Sequence, residues 1–290
     1  MNIFRYLKLL FRYLKLLFRY LKLLFRYLKL LLSFFLFIII SSLGHLIIWN
    51  DINRCRVRTL SNYFWIKFIN ILLNNKIVFI NNKELSREKI NFINSNHCYN
   101  SDFFILSYLF QYSVLPHEYS SISTSINIGL IDKIILSQID ACLISNKDPS
   151  IYIRNSIKKW YTKNYDRYII THFEGISKCD YSRKGKGKGK DKGKYKYVLE
   201  PKTIALSNIV KYIPKEINYM TDINIIYTLD NKLLMCSNKE LLQKLVNNEN
   251  IIIYVDIHRY RLPSYNDSDK WLADLYSKKD SQIENILINL

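Results

Sequence analysis

The heptad FRYLKLL is written four times without error from Phe4 to Leu31, and a stretch with no formal charge, Leu30 to Trp49, runs on from it. Arg5, Arg12, Arg19 and Arg26 alternate with Lys8, Lys15, Lys22 and Lys29. Steps of three and four residues lay these eight cations along one stripe of a helix and leave Phe, Tyr and Leu for the rest of its circumference. Such a helix suits the surface of an anionic bilayer, where each cation contributes about 1 kcal/mol. A coiled coil fits less well, because the apolar face is too wide for a two-position seam. The uncharged stretch, at roughly 20 residues, is long enough to cross a hydrocarbon core. A cleaved signal peptide fits badly with so long a basic region ahead of it. A shorter aromatic-rich stretch, Tyr63 to Leu73, follows Arg54, Arg56 and Arg58. A helical hairpin dipping into one leaflet would leave both basic clusters on the cytosolic side. The expected organisation is thus a basic heptad region at 1–31 and a membrane anchor or helical hairpin at 30–75.

The net charge of +19 would otherwise suggest a nucleic-acid partner. Its placement argues against one. Residues 1–31 carry +8 and Arg183 to Lys196 carries +7, which leaves +4 for the rest. The Lys-Gly alternation reads as a flexible loop, 183–197. The five cysteines are odd in number and include no C-x-x-C pair, so neither a disulfide framework nor a metal site is expected.

From Lys76 the pattern changes to that of a folded domain, 76–290. KIVFI reads as a strand with a turn at Asn81-Asn82, and Ile90 to Asn94 as a second. Ser101 to Phe110 and Ile151 to Tyr161 read as helices. Tyr168 to Phe173, Asn224 to Tyr227 and Asn250 to Ile257 read as strands. Ser268 to Leu290 reads as a C-terminal helix with Trp271, Leu275 and Ile283 on its apolar side, so that 250–290 forms a closing strand and helix. Strands alternating with helices predict an α/β fold, a mixed β-sheet flanked by helices, behind an N-terminal membrane-embedded anchor.

Three clusters are candidates for chemistry. Asn96-His97 ends a strand-like run, and Asp102 follows five residues later. A strand-to-helix turn can return that carboxylate to the imidazole, as in the base-and-orienter half of a hydrolase triad. The carboxylate fixes the tautomer and favours the imidazolium formed in proton transfer. No nucleophilic Ser or Cys need follow, since an acceptor substrate can supply the hydroxyl. Glu174-Gly175 follows the strand YIITHF. Only seven Gly occur, four of them in the Lys-Gly loop, so one at a strand end suggests a backbone requirement or close ligand approach. An ordinary turn reads equally well there. In Leu199 to Thr203, Pro201 shapes the chain and Lys202 could face an anion. The plainer reading is a helix start.

In this order the clusters resemble the glycerolipid acyltransferases. NHCYNSD resembles their NHxxxxD motif, HFEGIS their EGTR block and VLEPKT their V-x-x-P-[KR]-T block. The likeness is greatest to the 1-acylglycerol-3-phosphate and lysocardiolipin acyltransferase branch. It extends to YVDIHRYRLP and WLADLYSKKD, and covers about Lys76 to Ile286. The resemblance implies transfer of a fatty acyl group from acyl-CoA to a lysophospholipid hydroxyl, with acyl-CoA as co-substrate and no cofactor. It implies His97 as general base, Asp102 as its orienter, Glu174 and Gly175 in the acceptor phosphate pocket, and Pro201 at the floor of the site. Two positions depart from the pattern. Ile176-Ser177 stands where the family has Thr-Arg, and Asn146, beside Lys147, where its second block has Arg. Lys147, Lys178 or Lys202 would then hold the phosphate. The implied partners are acyl-CoA, a lysophospholipid and an anionic membrane surface. The implied location is an internal, endoplasmic-reticulum-like membrane, with the catalytic domain on its cytosolic side. The competing reading is a non-catalytic membrane-binding protein that uses its basic helix and Lys-Gly loop.

Overall fold

The computed structural model describes residues 2–47, 51–73, 76–81, 90–113, 118–124, 142–144, 149–162, 167–174, 177–178 and 194–290. The chain divides into two compact units, Met1–Asn74 with Gln243–Glu249, and Asn75–Leu242 with Asn250–Leu290.

In the first unit, the heptads and the uncharged stretch form one helix, α1 (Asn2–Ile47), and α2 (Asp51–Leu73) returns antiparallel to it. No Pro or Gly precedes Gly44 to interrupt α1. Arg26 of α1 donates through Nη2 to the carbonyls of Ile71 and Leu72 at 3.0 and 3.1 Å. Phe34 meets Phe68 and Phe37 meets Trp65, with ring centroids 5.3 and 4.9 Å apart. The inward positions Leu23, Arg26, Leu30, Ser33, Phe37 and Ser41 step by three or four, the spacing of a two-helix seam. From Tyr6 to Lys22 every residue is exposed.

Arg54, Arg56 and Arg58 lie in the first turns of α2, at the opposite end of the paired helices from Arg26. About 16 residues of helix separate the ends, roughly 24 Å. By length and composition α1 can cross a bilayer.

The second unit is a mixed sheet flanked by helices. Its elements are β1 (Ile77–Phe79), β2 (Ile90–Ser95), α3 (Asp102–Ser113), β3 (Glu118–Thr124), β4 (Cys142–Ile144), α4 (Pro149–Tyr161) and β5 (Arg167–Thr171). Then come α5 (Thr203–Tyr212), β6 (Tyr219–Leu229), β7 (Lys232–Leu233), α6 (Asn238–Val246), β8 (Ile251–Arg261) and α7 (Ser268–Ile288). The strand order is β1-β8-β6-β2-β5-β3-β4, with β7 beside β6. β2 runs parallel to both its neighbours, β5 and β6, while β8 is antiparallel to β6.

Side-chain alternation along β6 separates two covered faces. Met220 and Ile226 join Phe92, Ile169 and Tyr254 in a core closed by Ile153 and Ile157 of α4, Leu206 and Ile209 of α5, and Leu272, Leu275 and Ile283 of α7. Tyr227 points the other way, where its hydroxyl donates to Asp102 at the start of α3. A strand covered on both faces loses the simple hydrophobic-polar alternation, and β6 is buried from Met220 to Thr228.

The C-terminal end of the expected flexible loop is held. Asp280 of α7 accepts backbone N–H bonds from Lys196, Tyr197 and Val198 at 3.0, 2.6 and 3.2 Å. Three N–H groups converging on one carboxylate fix this segment against α7. The remainder of the expected loop, 183–193, lies outside the described residues.

Candidate active site

Parallel pairing places Asn94 of β2 opposite Thr171 of β5. Three residues beyond each partner stand His97 and Glu174, so the two leave the sheet side by side. This is the carboxyl end of parallel strands, where open α/β sheets place ligands. Asn96 marks where β2 stops. Its side-chain amide accepts from the Ile225 N–H at 2.7 Å and donates to the Ile225 carbonyl at 2.9 Å. The amide thus takes the place of a backbone partner in the ladder and frees the main chain to turn at His97.

Asp102 is fully buried, and its Oδ2 lies 3.3 Å from His97 Nδ1. The same oxygen accepts the Tyr99 N–H at 3.0 Å, and Oδ1 accepts the Tyr227 hydroxyl at 2.7 Å. The carboxylate is therefore fixed by three groups and stands in the first turn of α3, where the helix dipole favours negative charge. An Nδ1–H donated to Asp102 leaves Nε2 with its lone pair, on a side chain that keeps 20% of its exposure. This is the arrangement of a general base with an orienter.

Glu174 touches the backbone of the same residue. Its Oε2 accepts the His97 N–H at 3.1 Å, while Oε1 is buried with no hydrogen-bond partner among the described residues. Burial raises its carboxyl from about 4.5 to about 7, against the pull of His97 and Lys279. Lys178 donates its backbone N–H to the His97 carbonyl at 2.7 Å, and its Nζ donates to the Lys196 carbonyl at 2.6 Å. Burial lowers the pKa of that ammonium.

The remaining expected residues are placed as follows. The Lys202 N–H bonds the Phe173 carbonyl at 2.7 Å, which ties the start of α5 to the residue before Glu174. Its side chain is exposed, and Pro201 is half-buried. The expected helix start is observed, with Thr203 the first residue of α5. Ser177, at the position where the resembled motif carries Arg, is 1% exposed. Gly175, Ile176, Asn146 and Lys147 lie outside the described residues.

Several neighbours were not legible in the sequence. His172 stacks on His97 with ring centroids 4.4 Å apart and planes 18° apart, and its Nδ1 lies 3.0 Å from the Ser95 carbonyl. Burial, and then repulsion from His97 when that ring is protonated, push its pKa down to about 3, so it remains neutral. Beneath the strand ends, Lys279 of α7 is wholly buried against Asp222 at 3.0 Å, and Asn94 donates to Asp222 at 2.6 Å. Polar residues alternating through TDIN of β6 were the available signal. A small cavity of about 40 Å³ opens beside the Cys98-Tyr99 turn and is lined by both, with Tyr227, Leu233, Met235 and Cys236. Burial, then the Asp102 and Glu174 charges, raises the Cys98 thiol well above its ordinary value, which disfavours the nucleophilic thiolate. Among the described residues no group of three or more His, Cys, Asp or Glu is placed to hold a metal.

No protein-family model matches the chain, and no curated protein matches it. Among solved structures it is similar to the 1-acyl-sn-glycerophosphate (LPA) acyltransferase PlsC from Thermotoga maritima. The TM-score is 0.47 at 12% identity, over 89% of this chain and 98% of that one. A likeness of that order assigns neither family nor function.

Proposed function

We propose that the protein is an acyl-CoA-dependent O-acyltransferase that esterifies a lysophospholipid hydroxyl, with 1-acylglycerol-3-phosphate as the acceptor and phosphatidate as the product. The observation that carries this reading is the His97–Asp102 dyad at a parallel strand end, with Nδ1 3.3 Å from the carboxylate. Neutral His97 takes the proton from the acceptor hydroxyl as its oxygen attacks the thioester carbonyl. The C–S bond breaks, and the coenzyme A sulfur leaves with that proton. The raised Cys98 thiol supports direct transfer in a ternary complex over an acyl-enzyme. Glu174 and Lys178 hold the backbone of His97 on either side, and Lys178 brings a cation to the site. Lys178 is thereby preferred over the exposed Lys202 as the phosphate contact. The N-terminal unit anchors the protein in an internal membrane, with catalysis on the cytosolic side. The test is acyl transfer from acyl-CoA to a panel of lysophospholipids. Lysophosphatidate should be preferred, and Lys178→Gln should raise its KM more than it lowers kcat. A panel with no preferred acceptor would contradict the phosphate assignment.

A further inference from the structure

The four heptads are identical in sequence but not in surroundings. In the first unit the fourth copy enters the helix pair while Tyr6 to Lys22 remain exposed. Arg26 is drawn in to the carbonyls of Ile71, Leu72 and Leu245, all through Nη2 at 3.0–3.1 Å. It thereby neutralises carbonyl ends that would repel an anion. Its Nε and Nη1 are buried without hydrogen-bond partners among the described residues. Around it opens a cleft of about 1270 Å³, which Arg19, Lys22 and Lys29 line from α1 and Asn247 and Asn248 from the facing segment. Tyr27 donates to Asn247 Oδ1 at 2.7 Å, and Asn248 is held at φ 60°, the left-handed conformation that Asn tolerates. Phe18, Leu21 and Phe25 supply an apolar side, and no acidic residue lines the cleft.

We propose that this cleft is a binding site for one anionic glycerophospholipid, whose phosphate lies among Arg19, Lys22 and Lys29 and whose acyl chains follow the apolar residues. Charge complementarity supplies the first argument, since Arg19, Lys22 and Lys29 line the cleft and no acidic residue does. Depth supplies the second. The uncharged stretch begins at Leu30, directly after Lys29, so the cleft stands where that stretch meets the headgroup layer. The size supplies the third, because the volume exceeds the roughly 300–1,000 Å³ that suits a drug-sized molecule and suits a lipid better than a free phosphate. The site lies wholly within the first unit and is independent of the acyltransfer reading.

The experiment uses the full chain purified in neutral detergent and measures retained lipid by native mass spectrometry, with phosphatidylglycerol or phosphatidylcholine added. One phosphatidylglycerol should be retained in preference to phosphatidylcholine. The triple change Arg19→Gln, Lys22→Gln and Lys29→Gln should weaken retention by roughly a hundred-fold. The same loss of charge outside the cleft, at Arg5→Gln, Lys8→Gln and Lys15→Gln, should weaken it by less than about ten-fold. If the first triple variant loses its helical signal, Lys22→Glu alone should still abolish the preference for phosphatidylglycerol. Equal losses in the two triples would show diffuse attraction and overturn the site. So would equal retention of both lipids, or displacement of phosphatidylglycerol by inorganic phosphate.

Discussion

Tyr227 and Glu174 hold His97 from two sides, one through the Asp102 carboxylate and one through the His97 main chain. Tyr227→Phe removes one charge-assisted bond from a buried carboxylate. It should cost about 1.5–3 kcal/mol in unfolding free energy, which denaturant melts would measure. A loss below about 0.5 kcal/mol would mean that the bond does not hold Asp102. Glu174 adds a pH dependence with a definite sign. Its carboxyl titrates near 7 in the fold and near 4.5 ordinarily, so the folded state keeps the proton longer. Below about pH 4.5 both states are protonated and there is no penalty. The penalty grows as pH rises and is complete above about 7. Glu174→Gln still accepts the His97 N–H but cannot ionise. It should gain stability relative to wild type across that window, by roughly 1–3 kcal/mol. His97, Asp102 and Lys279 also face Glu174 and are common to both proteins. A stability difference that is flat with pH would refute the raised carboxyl. His97 and Asp102 were legible because five residues and one turn join them. Tyr227, His172 and Lys279 were not, because sheet pairing brings in the first two and the packing of α7 on the sheet brings in the third. The sequence placed Glu174 near an acceptor phosphate only through a motif, whereas its observed contact is with the main chain of His97.

At the scale of elements, α7 is joined to the sheet by a buried ion pair rather than by apolar contact alone. Lys279→Met should strand Asp222 without its cation and cost about 3–5 kcal/mol, and adding Asp222→Asn should recover much of that loss. Thermal melts of both variants would decide, and equal stability of the single and double variants would remove the pair from the account. Legibility here followed the apolar runs. β2, α3, α4, β5 and α7 were read close to their observed ends. The sequence shows less of β6 than forms, because polar residues that the structure buries, such as Asp222 and Thr228, bound its apolar run, and less of β8, because His258 to Arg261 at its end are polar and more exposed. β3 has a run of Ser and Thr with no apolar alternation, and α6 is a short helix of nine residues whose buried positions are Leu241 and Leu245. The β6–β7 turn has Asp230 and Asn231 at φ 49° and 60°. That is a two-residue hairpin signal, and it went unread.

For the whole molecule, one chain carries a basic, partly apolar helix pair and a sheet domain whose central strand ends at Ser95, two residues before His97. Removing residues 1–22 deletes only the exposed part of α1. It should weaken attachment to anionic vesicles and leave the melting of the sheet domain unchanged. Loss of sheet-domain melting would show that the exposed turns support the fold. The order of a basic helix, an apolar stretch and an α/β domain was legible because each leaves its own periodicity in the sequence. The placement of the two basic clusters at opposite ends of a helix pair was not, since it depends on how α2 pairs with α1. The proposed reaction is acyl transfer with His97 as base. Its most direct test is the full-length protein in vesicles with acyl-CoA and lysophosphatidate, with free thiol and phosphatidate followed together. The two products should appear in equal amounts, and His97→Ala, with normal expression and membrane attachment, should be slower by roughly 10²–10⁴-fold. Undiminished transfer in His97→Ala, or no transfer to any lysophospholipid by the wild-type protein, would contradict it.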